Sequence, residues 1–115
     1  MADERFNEFV REQLAGLPGI EFRRMFGGHG IYQREVFFGI LHRGRLYFKT
    51  DDATRLDYEA AGMGKFQPNA KQTLSAYYEV PTAVLENPGE LCTWAALSAR
   101  VPQEADTREK IGRPR

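Results

Sequence analysis

The sequence predicts an α+β domain, a two-layer sandwich whose antiparallel sheet carries its helices on one face. Three observations predict it. Apolar residues recur at helical spacing over 6–17, and the pattern switches to a two-residue period over 20–50. The strands are joined as hairpins through short glycine turns, and no βαβ alternation dominates. The predicted order is α-β-β-β-α-β(β)-α.

Phe6, Phe9, Val10, Gln13, Leu14 and Leu17 form the stripe of the first helix, with Asp3 as its N-cap and Gly16, Pro18 and Gly19 as its stop. Residues 20–26 alternate imperfectly and break at Gly27-Gly28-His29-Gly30. Ile31-Tyr32, Val36–Leu41 and Arg45–Thr50 then read as a three-stranded meander turning at 33–35 and at Arg43-Gly44. The run Val36–Leu41 is apolar almost throughout, which predicts cover on both faces, from another subunit or from a loop. Residues 45–50 alternate instead, so Leu46 and Phe48 share one face and Arg45, Tyr47 and Lys49 the other.

Asp51-Asp52 are candidate caps for a helix ending near Ala61, with Gly62 beyond it. Residues 63–69 read as a loop or short edge strand, and Leu74–Val80 as a strand stopped by Pro81. Asn87-Pro88-Gly89-Glu90 has a cap, a first-turn proline and an acid at the third position. The helix that follows is predicted to bury Leu91, Trp94, Ala95, Leu97-Ser98 and Val101. Residues 1–101 form one domain in this reading, and 102–115 a polar tail.

A chain of 115 residues suits one domain, and at this length about two-thirds of the unfolded surface can be buried. Sixteen basic and sixteen acidic side chains cancel, which argues against a dedicated nucleic-acid binder. The distribution is uneven: residues 20–50 hold six Arg/Lys against two acids. The lone cysteine, Cys92, cannot form an internal disulfide, and no apolar run approaches the roughly 20 residues of a membrane span. These features predict a cytoplasmic protein without a membrane partner.

The polar residues offer little that fits a catalytic or metal site. His29, His42 and Cys92 lack the paired spacing of a metal site. Gly27-Gly28-His29-Gly30 precedes a strand, not the helix that a phosphate loop needs, so its glycines read as conformational. Cys92, Ser75, Ser98, Asp51, Asp52 and Glu79 find no supporting base or partner acid. The expectation is no catalytic residue, no metal and no cofactor. Arg45, Tyr47 and Lys49 on one sheet face offer an alternative, a surface on which single-stranded bases stack. The tail Ile111-Gly112-Arg113-Pro114-Arg115 matches part of a minor-groove hook, with Ile111 where an arginine is expected.

Several segments together resemble one family. Arg23-Arg24-Met25-Phe26-Gly27-Gly28-His29-Gly30-Ile31-Tyr32, Gly44–Lys49 with Asp51, Tyr58–Met63 with Phe66, Tyr77–Pro81, and Asn87-Pro88 with Leu91 and Trp94-Ala95 occur in order over residues 6–98. They are similar to the N-terminal domain of the TfoX/Sxy family of bacterial competence regulators. The resemblance implies a secretion-chaperone-like α+β fold and a regulatory role in DNA uptake. Full-length relatives carry a second domain that finds no counterpart here, which implies a stand-alone unit. It implies no catalytic or ligand residue.

The reading that results is a non-enzymatic regulatory or protein-interaction domain, a homodimer through its sheet, with an unidentified protein partner. Its expected interaction surface is Arg24, Met25, Phe26, Gly27 and Gly28, extended by Arg45, Tyr47 and Lys49. The same residues serve equally as the turn and core that set the fold.

Overall fold

The computed structural model of the chain describes residues 2–25 and 27–102. The elements are α1 (Ala2–Gln13), β1 (Ile20–Met25), β2 (Gly28–Gln33), β3 (Val36–His42), β4 (Arg45–Lys49), α2 (Arg55–Ala60), β5 (Lys65–Asn69), β6 (Gln72–Glu79), α3 (Thr82–Leu85) and α4 (Pro88–Ala99). The six strands form one antiparallel sheet in the order β1-β2-β3-β4-β6-β5. The predicted α+β class is the observed one. The meander has one strand more than expected, because 20–25 and 28–33 pair with each other across a turn at Gly27, where φ is +78°. Asp3 lies inside the first turn of α1 and not ahead of it, where its charge still favours the helix dipole.

The helices pack on one face. Val10 of α1 with Leu14 just beyond its end, Leu91 and Ala95 of α4 and Tyr58 of α2 close over Ile31, Phe38, Leu41, Leu46, Phe48 and Tyr78. Asn87 caps α4 as expected, its side chain accepting from the Glu90 amide at 3.0 Å. Asp51 instead caps the turn before α2, accepting from the amides of Ala53 and Thr54. Gly62, at φ +78°, ends α2. Leu97, expected inside the molecule, is 42% exposed, and Leu56 of α2 is 59% exposed.

A bulge explains how β3 serves both faces. Ile31 pairs with Gly39 and Tyr32 with Phe37, so Phe38 is the extra residue. Alternation shifts there: Phe38 and Leu41 join the helix-side core, whereas Phe37 and Ile40 face the other way. The second face is covered by the chain's own β5–β6 hairpin. Register jumps from Lys65↔Tyr78 to Phe66↔Leu74, which bends β6 sharply. The bend lays Phe66 of the edge strand against Tyr47 of β4 and His42 of β3, with ring centroids at 4.7 and 5.2 Å. Ile40, Tyr47, Phe66 and Tyr77 thus form a second small core. The cover expected over β3 is therefore this hairpin.

Two hairpins turn through residues with positive φ. Arg43 (50°) and Gly44 (74°) form one, and Arg34 (47°) and Glu35 (74°) the other. Two successive positive angles match the type I′ turn, for which Asn-Gly is preferred. Glu35 stands where glycine is favoured, at a cost of roughly 1 kcal/mol. The double substitution Arg34→Asn/Glu35→Gly is therefore expected to raise stability by about 1 kcal/mol in urea unfolding, despite losing an exposed ion pair of Glu35 with Arg23. A loss of stability would show that the turn is held by something other than its backbone angles.

Candidate functional site

The residues singled out in the sequence divide between two places. Arg24 projects from β1 to the helix side, directly across from His29 of β2. With Asp3, Glu4 and Asn7 of α1, and with Gly27, Gly28 and Arg43, they line an open cleft of about 400 Å³. One wall, from the strands and their turns, is basic, and the helix wall is acidic. Arg24 and Arg43 make no ion pair among the described residues. Met25 points to the opposite face, packing against the second core. Phe26 lies outside the described residues.

Gly28 makes the cleft floor possible. A Cβ there would lie 2.1 Å from the carbonyl oxygen of Leu41, so only glycine lets β2 approach β3 at this point. Gly27 is different: it has a positive φ, but a Cβ would meet nothing within 4 Å.

His29, set aside as a metal ligand for want of paired spacing, belongs to the cleft. Its Nδ1 is buried with no hydrogen-bond partner among the described residues. Burial holds its pKa below the ordinary histidine value, and the nearby Arg11 and Arg24 guanidiniums act in the same direction. His42 is lowered too, by burial and then by Arg43, with Asp3 opposing. A depressed histidine takes up its proton more readily in the unfolded chain. The stability tied to both groups is thus complete above about pH 6.5 and is lost as pH falls through their folded-state pKa values. The melting temperature should fall between about pH 7 and about pH 5, and His29→Gln/His42→Gln should flatten that fall. An equally steep fall in the double variant would clear the histidines of any part in it.

The other predicted residues do not form an open surface. Arg45 is exposed and pairs with Glu79 at 3.0 Å. Tyr47 is only 8% exposed, beneath Phe66, and its hydroxyl pKa is raised, chiefly by burial. Lys49 is 1% exposed, with its ammonium donating to the Pro102 carbonyl at 3.1 Å. Tyr77 is buried as well. Base stacking needs exposed ring faces, and in this arrangement neither tyrosine offers one. The basic pentapeptide at 111–115 lies outside the described residues.

Among the described residues no group of three or more His, Cys, Asp or Glu is placed to hold a metal ion. No helix among them is long and apolar enough to cross a membrane. Cys92 is half-buried, its thiol directed at the Gln13 carbonyl at 3.5 Å.

Comparison with known proteins supplies the family. The chain is 29% identical over 91 residues to a DNA transformation protein, TfoX1, of Aliivibrio fischeri, a match covering 77% of this chain and 42% of that relative. The chain thus spans less than half the length of that protein. It is also 31% identical over 116 residues to an uncharacterized 12.7 kDa protein, encoded in a trpE 5′ region, of Spirochaeta aurantia, covering 97% of each. The TfoX N-terminal domain model matches residues 12–101, a span that holds the Arg24–Gly30 segment, the bent hairpin and α4. The chain belongs to the TfoX N-terminal domain family.

Proposed function

We propose that this domain is a non-enzymatic regulatory module of the competence type, and that it acts by binding another protein through the cleft between α1 and the β1–β2 hairpin. One observation carries the reading. The segment most distinctive of the family does not go wholly into the core. It builds an open, charged wall on which Arg24 and Arg43 make no ion pair among the described residues. Arginine is enriched at protein interfaces, and a charged cleft with a basic and an acidic wall selects a partner of complementary pattern. The name of the Aliivibrio fischeri relative supports a role connected with DNA transformation.

The test is a chimera in which this domain replaces the matching segment of that relative. Transformation frequency should be restored by the wild-type domain. It should drop at least about tenfold with Arg24→Glu/Arg43→Glu, since reversing charges at an interface costs more than one kcal/mol. A reversed-charge chimera as active as the wild-type one would remove the cleft from the function.

A further inference from the structure

We propose that two copies of the chain associate edge to edge through β1, in an antiparallel pairing centred on Phe22. The sheet has two edges, β1 and β5. The β5 edge is short, carries Pro68 and belongs to the bent hairpin, all of which oppose strand addition. In contrast, β1 is regular over six residues and pairs with β2 without a break. Among the described residues no backbone group of Ile20–Met25 bonds to anything other than β2. Its outward N–H and C=O groups are a template for one more strand.

Charge on β1 selects the register. Across a two-fold axis, residues directly opposite share a face of the sheet, so the axis must pass through one residue and its copy. Centring on Glu21 sets two carboxylates together, and centring on Arg23 or Arg24 sets two guanidiniums together. Centring on Phe22 instead brings each Glu21 opposite Arg23 of the second copy, twice over, on the helix-free face. It also gives long overlap, with Ile20 opposite Arg24. Within one chain Arg23 bridges Glu21 at 2.7 Å and Glu35 at 3.2 Å and lies over the Tyr32 ring of β2, so pairing with a second copy requires its exposed guanidinium to turn outward across the edge.

The helix side adds apolar surface. Phe22 lies under the Arg11 guanidinium, 4.3 Å from its ring centre. Beside it an open groove of about 380 Å³ is lined by Leu14, Leu17, Pro18, Ile20 and Phe22. In the proposed pair the two Phe22 rings meet at the axis, and the stem of each Arg24 lies over Ile20 of the other copy. The pairing does not depend on the role given to the cleft.

Light scattering of the full chain over a range of concentrations reads it directly. The wild-type chain is expected to approach twice its monomer mass. Glu21→Arg and Arg23→Glu each set like charges opposite one another twice, and each should weaken association at least about tenfold. Mixed in equal amounts, the two variants restore complementary pairs and the dimer mass. The double variant Glu21→Arg/Arg23→Glu in one chain should also regain it. Both residues are exposed, so the variants keep the fold, which a cooperative thermal melt verifies. A wild-type chain that stays monomeric, or single variants that associate as the wild type does, would overturn the proposal. So would mixing, or the double variant, without recovery.

Discussion

Gly28→Ala is expected to cost about 3 kcal/mol or more, a large part of the roughly 5–15 kcal/mol that holds a domain together. The added methyl would sit 2.1 Å from the Leu41 carbonyl oxygen. That oxygen belongs to β3, which is held between β2 and β4, so it cannot yield as the end of a flexible side chain would. Relief requires β2 to move away from β3 and lose ladder hydrogen bonds. The neighbouring Gly27→Ala is the control. It meets no atom, and it costs only the roughly 1 kcal/mol of a positive φ. Urea unfolding of the two variants should rank them in that order. Equal costs would mean that the two glycines serve the turn alone, and that close strand approach is not why Gly28 stands there.

Phe66→Ala is expected to cost about 3–5 kcal/mol, the usual range for deleting a buried phenylalanine. Its effect should be local in character. Phe66 is nearly solvent-free and fastens the bent hairpin to Tyr47 and His42. Without the ring, the hairpin loses the contact that folds it over the second face, and Ile40, Tyr47 and Tyr77 gain water. Amide exchange over 66–76 should accelerate far more than over β1 to β3, where the ladder is intact. Uniform acceleration across the sheet would show that the hairpin is an inseparable part of the main core. No change would show that Phe66 is not its fastening.

The legible parts of the fold are those governed by one neighbouring chain segment. The alternation of Arg45–Lys49 assigns its faces correctly, and the cap at Asn87 marks the start of α4. The separation of β1 from β2 is harder to read, because Gly27 and Gly28 interrupt the pattern between two strands that pair with each other. Period alone shows which way a side chain points and not what covers it. Tyr47 and Lys49 do share the helix-free face, yet both are buried. What lies over them includes the hairpin that starts sixteen residues after Lys49, in a segment whose sequence reads as a loop or a short edge strand. Its fold-back depends on one ring, Phe66, finding a distant surface. Leu97 errs in the opposite sense: an apolar residue in an apolar helix reads as core, but α4 turns it outward.

The candidate cleft was partly legible for the same reason. Arg24, Gly27 and Gly28 stand out as a motif, and they do line one wall. The opposite wall comes from the first turn of α1, more than fifteen residues earlier, and Arg43 arrives from the β3–β4 turn. No local pattern links these three segments. The orphaned Nδ1 of His29 is likewise a product of packing, and a sequence contains no sign of it beyond a histidine between glycines.

We propose that the domain binds protein and not nucleic acid. The most direct test is the solution mass by light scattering, with and without short duplex and single-stranded DNA, at low salt where phosphate contacts are strongest. The same mass is expected with and without DNA at every protein concentration, because Tyr47 and Tyr77 of the sheet face are buried and the net charge is zero. A mass that grows by the weight of the DNA, and shrinks again as salt is added, would contradict it.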